Sequence, residues 1–157
     1  MQDTNQPIDF TICWVDSNDP AWQEQKSQYD PNISGDKRIS RYRDWDNLQY
    51  WFRGVEKFAP WVNKIHFITW GHLPAWLNTD NPKLNIVRHE DYLLPQYMPT
   101  FNSSPLELNL HRIKGLADHF VSFNDDMFII KPVSRDLFFQ NTLPTDFCIV
   151  TAISSPV

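Results

Sequence analysis

Two adjacent carboxylates, Asp125 and Asp126, follow Asn124 directly after the apolar run His119–Phe123 (HFVSF). Neighbouring acids at the carboxyl end of a strand repel one another unless something positive neutralises them. Hard divalent cations such as Mg²⁺ or Mn²⁺ do this with carboxylate oxygens, and Mg²⁺ sites commonly join one or two carboxylates to substrate phosphates. Successive strand residues point to opposite faces, so one of the pair is expected to bind directly and the other to orient it. The plainer reading is an Asn-Asp turn between strands, and on the tripeptide alone the two stand level.

Three other groups invite chemistry. Trp14-Val15-Asp16 ends the first apolar run with an aromatic and an acid, which could stack on a base and bond a ribose; taken alone, a core tryptophan and a turn aspartate explain it better. Arg41-Tyr42-Arg43-Asp44 places two arginines before a helix, where guanidinium forks and free N–H groups both favour anions; a solvated basic loop fits equally well. Asn102-Ser103 precedes a helix carrying Glu107 and His111, four residues apart and so expected on one face, where they could form an acid/base or binding pair; against this, Glu107 suits a capping box and a lone histidine is usually structural. His66, His72, His89 and His119 lack metal-ligand spacing and are assigned nothing. Phosphate-binding glycine loops, zinc patterns and nucleophile elbows are absent from the sequence.

The elements that must position these groups alternate in type. Ile8–Val15, Lys64–Trp70, Leu84–Arg88 and His119–Phe123 read as strands. Leu48, Phe52 and Val55 recur at i, i+4, i+7 and predict a helix over Asp46–Phe58, with Asp44 as N-cap and Pro60 as the stop. A short helix followed by an exposed loop is expected within Ala21–Ile39, and a helical turn over Pro74–Leu77. Ser104 suits an N-cap, Pro105 the first helical position and Glu107 the far side of a capping box; Leu106, Leu110 and Ile113 supply the stripe and Gly115 the end. This alternation predicts an α/β fold with a mostly parallel sheet flanked by helices, in a single domain over residues 1–157.

Composition agrees with one folded unit. The 157 residues are 41% apolar and 21% charged, and a chain of this size buries roughly two-thirds of its unfolded surface. Aromatics reach 15%, with seven tryptophans, which suits sugar or base faces as well as cores. The net charge of −5 without a basic cluster argues against nucleic acid as a partner. Cys13 and Cys148 sit in apolar runs and read as buried free thiols. Nothing approaches the ~20 apolar residues of a membrane span, and the polar Met1–Ile8 is unlike a secretory signal, so a cytoplasmic location is expected.

Taken in order, several stretches resemble the Stealth family, the sugar-1-phosphate transferases of microbial capsule synthesis, which also includes the catalytic part of the animal GlcNAc-1-phosphotransferase. They are Ile8–Asp16 (IDFTICWVD) with Asn18–Trp22 (NDPAW), Arg41–Tyr50 (RYRDWDNLQY), Val55–Trp61 (VEKFAPW), Lys64–Thr69 (KIHFIT) and Pro74–Thr79 (PAWLNT). Pro99–Ser103 (PTFNS), Glu107, Leu110–Ile113 (LHRI) and Phe123–Asp126 (FNDD) complete the series. Trp45 stands where the family usually has Asn, and Pro105 where it usually has a small residue. The family's later basic and histidine-bearing regions do not follow before Val157, so the chain is expected to be the truncated N-terminal part of a longer domain.

The resemblance implies a nucleotide-sugar-binding architecture similar to GT-A enzymes, with Mg²⁺ or Mn²⁺ as cofactor. It implies transfer of a hexose 1-phosphate from a nucleotide-sugar donor, a UDP-sugar, to a glycan hydroxyl, with peripheral association with the capsule machinery. Mapped onto this sequence, Trp14, Val15 and Asp16 would hold base and ribose, and Arg41, Arg43 and Asp44 would lie near the donor phosphates. Asn102, Ser103, Glu107 and His111 would line the donor sugar or phosphate, and Asp125 and Asp126 would bind the cation. Of these, Arg43, Asp44, His111 and Asp125 are the candidates for catalysis. The alternatives are a GT-A glycosyltransferase releasing nucleoside diphosphate and an inactive sugar-nucleotide-binding fragment.

Overall fold

The computed structural model describes residues 6–29 and 45–146. Its centre is a four-stranded sheet in the order β3-β2-β1-β4, formed by β1 (Ile8–Trp14), β2 (Ile65–Thr69), β3 (Leu84–Arg88) and β4 (His119–Phe123). All three pairings are parallel, as expected of strands separated by long crossovers. β1 is a near-continuous apolar run because it is covered on both faces. Ile8, Phe10 and Ile12 pack against helix α2 (Leu48–Phe58) through Leu48, Trp51 and Val55. The opposite face is closed by α3 (His89–Tyr92) and α4 (Ser103–Leu108): Ile68 and Val87 meet Tyr92, Leu93, Leu106, Leu110 and Ile113 there. Helix α1 (Pro20–Tyr29) follows β1 and buries Trp22.

Several boundaries differ from expectation for identifiable reasons. Helix α2 starts at Leu48 rather than Asp46, because Asp46 has φ +52°, outside the helical region. Its N-cap is Asn47, without a side-chain capping bond, whereas Asp44 lies outside the described residues. Helix α4 is capped two residues early, at Asn102, whose Oδ1 accepts from Ser104 N at 3.1 Å. Ser104 and Pro105 are thus second and third in the helix, where backbone N–H groups lack helical acceptors and proline is tolerated. The capping box expected for Glu107 does not form. The 74–77 turn is closed by one bond, Leu77 N to Pro74 O at 3.0 Å. β4 is an edge strand and only half buried.

Beyond β4 the chain returns along α2, where Val133 N bonds Phe58 O at 3.0 Å and Trp61 Nε1 bonds Val133 O at 2.8 Å. Gly54 of α2 meets this segment closely: a Cβ there would lie 2.6 Å from the Ile129 carbonyl oxygen. A small hairpin, β5 (Phe139–Gln140) and β6 (Leu143–Pro144), completes the described chain; its turn residues Asn141 and Thr142 both have positive φ. Among the described residues no helix is long and apolar enough to cross a membrane. Cys148 and its apolar run lie outside the described residues.

Candidate functional site

At the carboxyl ends of β1 and β4, where α/β sheets gather ligands, lies a cavity of about 350 Å³. Register explains why two separate stretches meet there. Ile12 pairs with Phe123, so the chain leaves β4 as Asn124-Asp125-Asp126 alongside the last residues of β1. The turn is closed by Met127 N to Asn124 O at 3.2 Å. Cys13, Trp14 and Val15 form one wall, Ser122 to Asp126 a second, and the segment Thr100–Ser103 with Leu106 and Glu107 of α4 a third. Trp22 and His89 close the remaining sides.

Seven sequence-predicted site residues therefore converge on one cavity: Trp14, Val15, Asn102, Ser103, Glu107, Asp125 and Asp126. Asp16 falls just beyond the wall, and its Oδ1 caps the turn by accepting from Asn18 N at 2.9 Å. His111 is exposed and is not part of the lining. The expected shared helix face for Glu107 and His111 is not found, because α4 ends at Leu108 and His111 belongs to a separate 3₁₀ turn, Leu110–Arg112. Arg41, Arg43 and Asp44 lie outside the described residues.

The electrostatics of the cavity are acidic. The Cys13 thiol is pushed up to about 12, first by burial and then by the negative charges of Glu107 and Asp125. The thiol is thus a neutral part of the wall rather than a nucleophile. Glu107 and Asp126 make no side-chain hydrogen bond or ion pair among the described residues. Such oxygen donors fit a hard cation. Among the described residues no group of three or more His, Cys, Asp or Glu is arranged to hold a metal. A cation at Asp125 and Asp126 would therefore draw further ligands from phosphate and water, which is how Mg²⁺ usually binds.

Other lining residues escaped the sequence reading. Trp22 presents its ring edge-on to Phe101, with centroids 5.8 Å apart, so two aromatics from distant segments border the cavity. His89 is 6% exposed, and its Nδ1 is buried without a hydrogen-bond partner. Burial, and secondarily the charge of His72, lower its pKa to about 4, so the ring is neutral near pH 7. Tyr92 secures the wall by donating to Leu106 O at 3.3 Å, and burial raises its hydroxyl above the ordinary tyrosine range. Trp22 had a legible signal, since Asp19-Pro20 is a helix-start pair: Asp19 Oδ1 accepts from Trp22 N at 2.9 Å and Pro20 is the first helical residue.

The chain matches known proteins over most of its length. The family model described as Stealth protein CR2, conserved region 2, matches residues 41–146. A capsular polysaccharide phosphotransferase WcwK of Streptococcus pneumoniae is 52% identical over 142 residues, covering 87% of this chain and 42% of the relative. The capsular polysaccharide phosphotransferase CpsJ of Streptococcus thermophilus is 47% identical over 150 residues, 93% of this chain and 63% of the relative. The receptor polysaccharide phosphotransferase WefC of Streptococcus gordonii is 48% identical over 142 residues, 87% of this chain and 43% of the relative. The chain thus spans about half the length of the curated relatives it matches.

Proposed function

Because the chain belongs to the Stealth protein family, we propose that it carries the donor-binding part of a cell-surface polysaccharide phosphotransferase. The reaction is transfer of a hexose 1-phosphate from a nucleotide sugar, taken here as a UDP-sugar, to a glycan hydroxyl. The acceptor oxygen forms a bond to the β-phosphorus while the bond from that phosphorus to the bridging oxygen breaks. UMP leaves, and the hydroxyl proton passes to a base. The observation that carries this reading is the meeting of Trp14–Val15, Asn102–Ser103–Glu107 and Asp125–Asp126 around one acidic cavity at the carboxyl end of a parallel sheet.

In this reading Trp14 and Val15 flank the base, with Asp16 at the ribose edge. Asn102 has spent Oδ1 on its helix cap, which leaves its amide N–H groups for a sugar or phosphate oxygen. Ser103 and Glu107 lie beside it on the same wall. Asp125 and Asp126 would hold Mg²⁺ or Mn²⁺, which would supply positive charge beside the diphosphate and the transferring phosphoryl group. Arg41, Arg43 and Asp44 are assigned to the phosphates on the family pattern, and His111 is given no donor contact. The protein would work in the cytoplasm, at the periphery of the capsule machinery.

The test is to incubate the protein with UDP-hexoses, Mg²⁺ and acceptor glycan and to identify the released nucleotide. UMP is expected; UDP would mean sugar transfer without its phosphate and would sink the reading in favour of a glycosyltransferase. Calorimetric titration with UDP-sugar should show binding that disappears with EDTA. No binding under any condition would favour an inert fragment.

A further inference from the structure

The loop between β1 and α1 contributes Val15 to the cavity wall begun by Cys13 and Trp14 of β1, and leads into the helix that supplies Trp22. Its anchor is a residue with no contact to the cavity. His72 stands just after β2 with its side chain 12% exposed, and its Nε2 accepts the backbone N–H of Asp16 at 2.6 Å. Since Nε2 accepts, the neutral ring carries its hydrogen on Nδ1, which faces Asp19 Oδ2 at 3.4 Å, so that the N–H dipole points towards the carboxylate side without an aligned hydrogen bond. One imidazole thus spans both ends of the loop: the backbone beside Val15, and the residue that caps α1. The ring is clasped between Trp14, with centroids 5.3 Å apart and nearly perpendicular, and Trp70 at 5.6 Å.

The imidazole is itself fixed from below. Gly71 has φ +145°, a conformation that L side chains rarely adopt, and no atom would meet a Cβ there, so conformation rather than space calls for glycine. Buried Thr69 holds this turn twice, with Oγ1 donating to His72 O at 2.7 Å and accepting from Gly71 N at 3.3 Å. Trp70 ties the same turn to α1 by donating to Gln25 Oε1 at 2.9 Å. The turn after β2 is therefore braced on the sheet and grips the loop on its neighbour.

We propose that His72 is a positioning residue for ligand binding: its Nε2 acceptor holds the Val15–Asp19 loop, and through it Trp14 and Trp22, in the shape that walls the cavity. The consequence for a nucleotide rests on the proposed function, whereas the consequence for the loop does not. The chemistry required is one acceptor at the Nε2 position with a donor beside it. Glutamine reproduces this at similar reach, asparagine is too short to meet the Asp16 N–H, and leucine offers neither.

The test uses the whole chain with two readouts: hydrogen exchange at the Asp16 amide, and titration with UDP and Mg²⁺. In His72→Leu and His72→Asn the Asp16 amide should lose its protection while amides of β1 and β2 keep theirs, and UDP affinity should fall about tenfold or more. His72→Gln should restore both. Should His72→Leu fail to fold, the asparagine and glutamine pair decides. Protection retained at Asp16 in the asparagine variant, UDP affinity within about twofold of the parent, or no recovery with glutamine would each overturn the proposal. If the unaltered chain does not bind UDP, the nucleotide reading fails and the exchange result alone decides the role of His72.

Discussion

Asp9 and Asp125 are carboxylates at opposite ends of the same sheet, and they differ in what surrounds them. Asp9, near the start of β1, is completely buried and accepts from Asn63 Nδ2 at 2.7 Å, Lys64 N at 3.1 Å, Ala117 N at 2.8 Å and His66 Nε2 at 3.0 Å. The His66 ring is held in turn by Asn85, whose Nδ2 faces Nδ1 at 2.9 Å. Every strong donor there belongs to the protein, and the group joins segments 54 to 108 residues apart. At the other end, Asp125, Asp126 and Glu107 crowd an open cavity in which Asp126 and Glu107 have no such partners among the described residues. A carboxylate satisfied by the fold serves the fold, whereas Asp126 and Glu107, on the cavity wall without such donors among the described residues, are open to a ligand.

The largest expected effect that would break this contrast is at Asp9. Asp9→Ala removes one acceptor from four donors, and stability should fall by about 3–5 kcal/mol in urea unfolding. A loss under about 1 kcal/mol would mean that the buried cluster is dispensable. Next is His89, whose pKa is lowered to about 4 from 6.5. The unfolded chain takes up the proton first, so the stability from keeping this ring neutral is complete above pH 6.5 and is lost as pH falls towards 4, by up to about 3 kcal/mol. His89→Leu should flatten that part of the pH profile; an unchanged slope would assign it to other groups.

Smaller in stability but larger in function is the double variant Asp125→Ala, Asp126→Ala. It should stay within about 0.5 kcal/mol of the parent in unfolding while losing Mg²⁺-dependent UDP binding. Strong destabilisation would instead make these acids structural, like Asp9. The finest measure of the difference is Cys13, held at about 12 by burial and by the charges of Glu107 and Asp125. Alkylation of this thiol, followed on its own peptide by mass spectrometry, should be slow at pH 8 and faster in Glu107→Gln, Asp125→Asn, because removing the charges lowers its pKa while burial keeps it raised. An identical rate would show that the acids do not act on it.

The sequence pattern was most readable where local rules decide. Leu84–Arg88 and His119–Phe123 form strands over the expected residues, since short β-branched and aromatic runs bounded by turn residues have few other uses. The stripe of Leu48, Phe52 and Val55 announced α2, and the parallel sheet followed from the alternation. The cap of α4 was misplaced because Asn102 and Ser104 are both good capping residues and the competition is settled by the path of the chain before them. Asp9 passed unnoticed as one polar residue in an apolar run, and its importance comes from partners that folding brings from far away. His72 and His89 were invisible for the same reason: neither has a neighbour in sequence that hints at the loop it holds or the cavity it borders.

Gly54 gives the acidic turn something the strand before it cannot supply, which is a fixed depth. With the Ile129 carbonyl where a methyl group would otherwise stand, the peptide chain three residues beyond Asp126 is gauged directly against the backbone of α2. Helix α2 thus serves as a datum for the turn that bears Asp125 and Asp126, the cation ligands proposed above, and a shift of α2 would be passed to that turn. Side-chain packing can absorb such a shift by changing rotamers, but backbone seated on backbone cannot. The calibration of the site is therefore written partly in a residue that has no side chain and never meets the ligand.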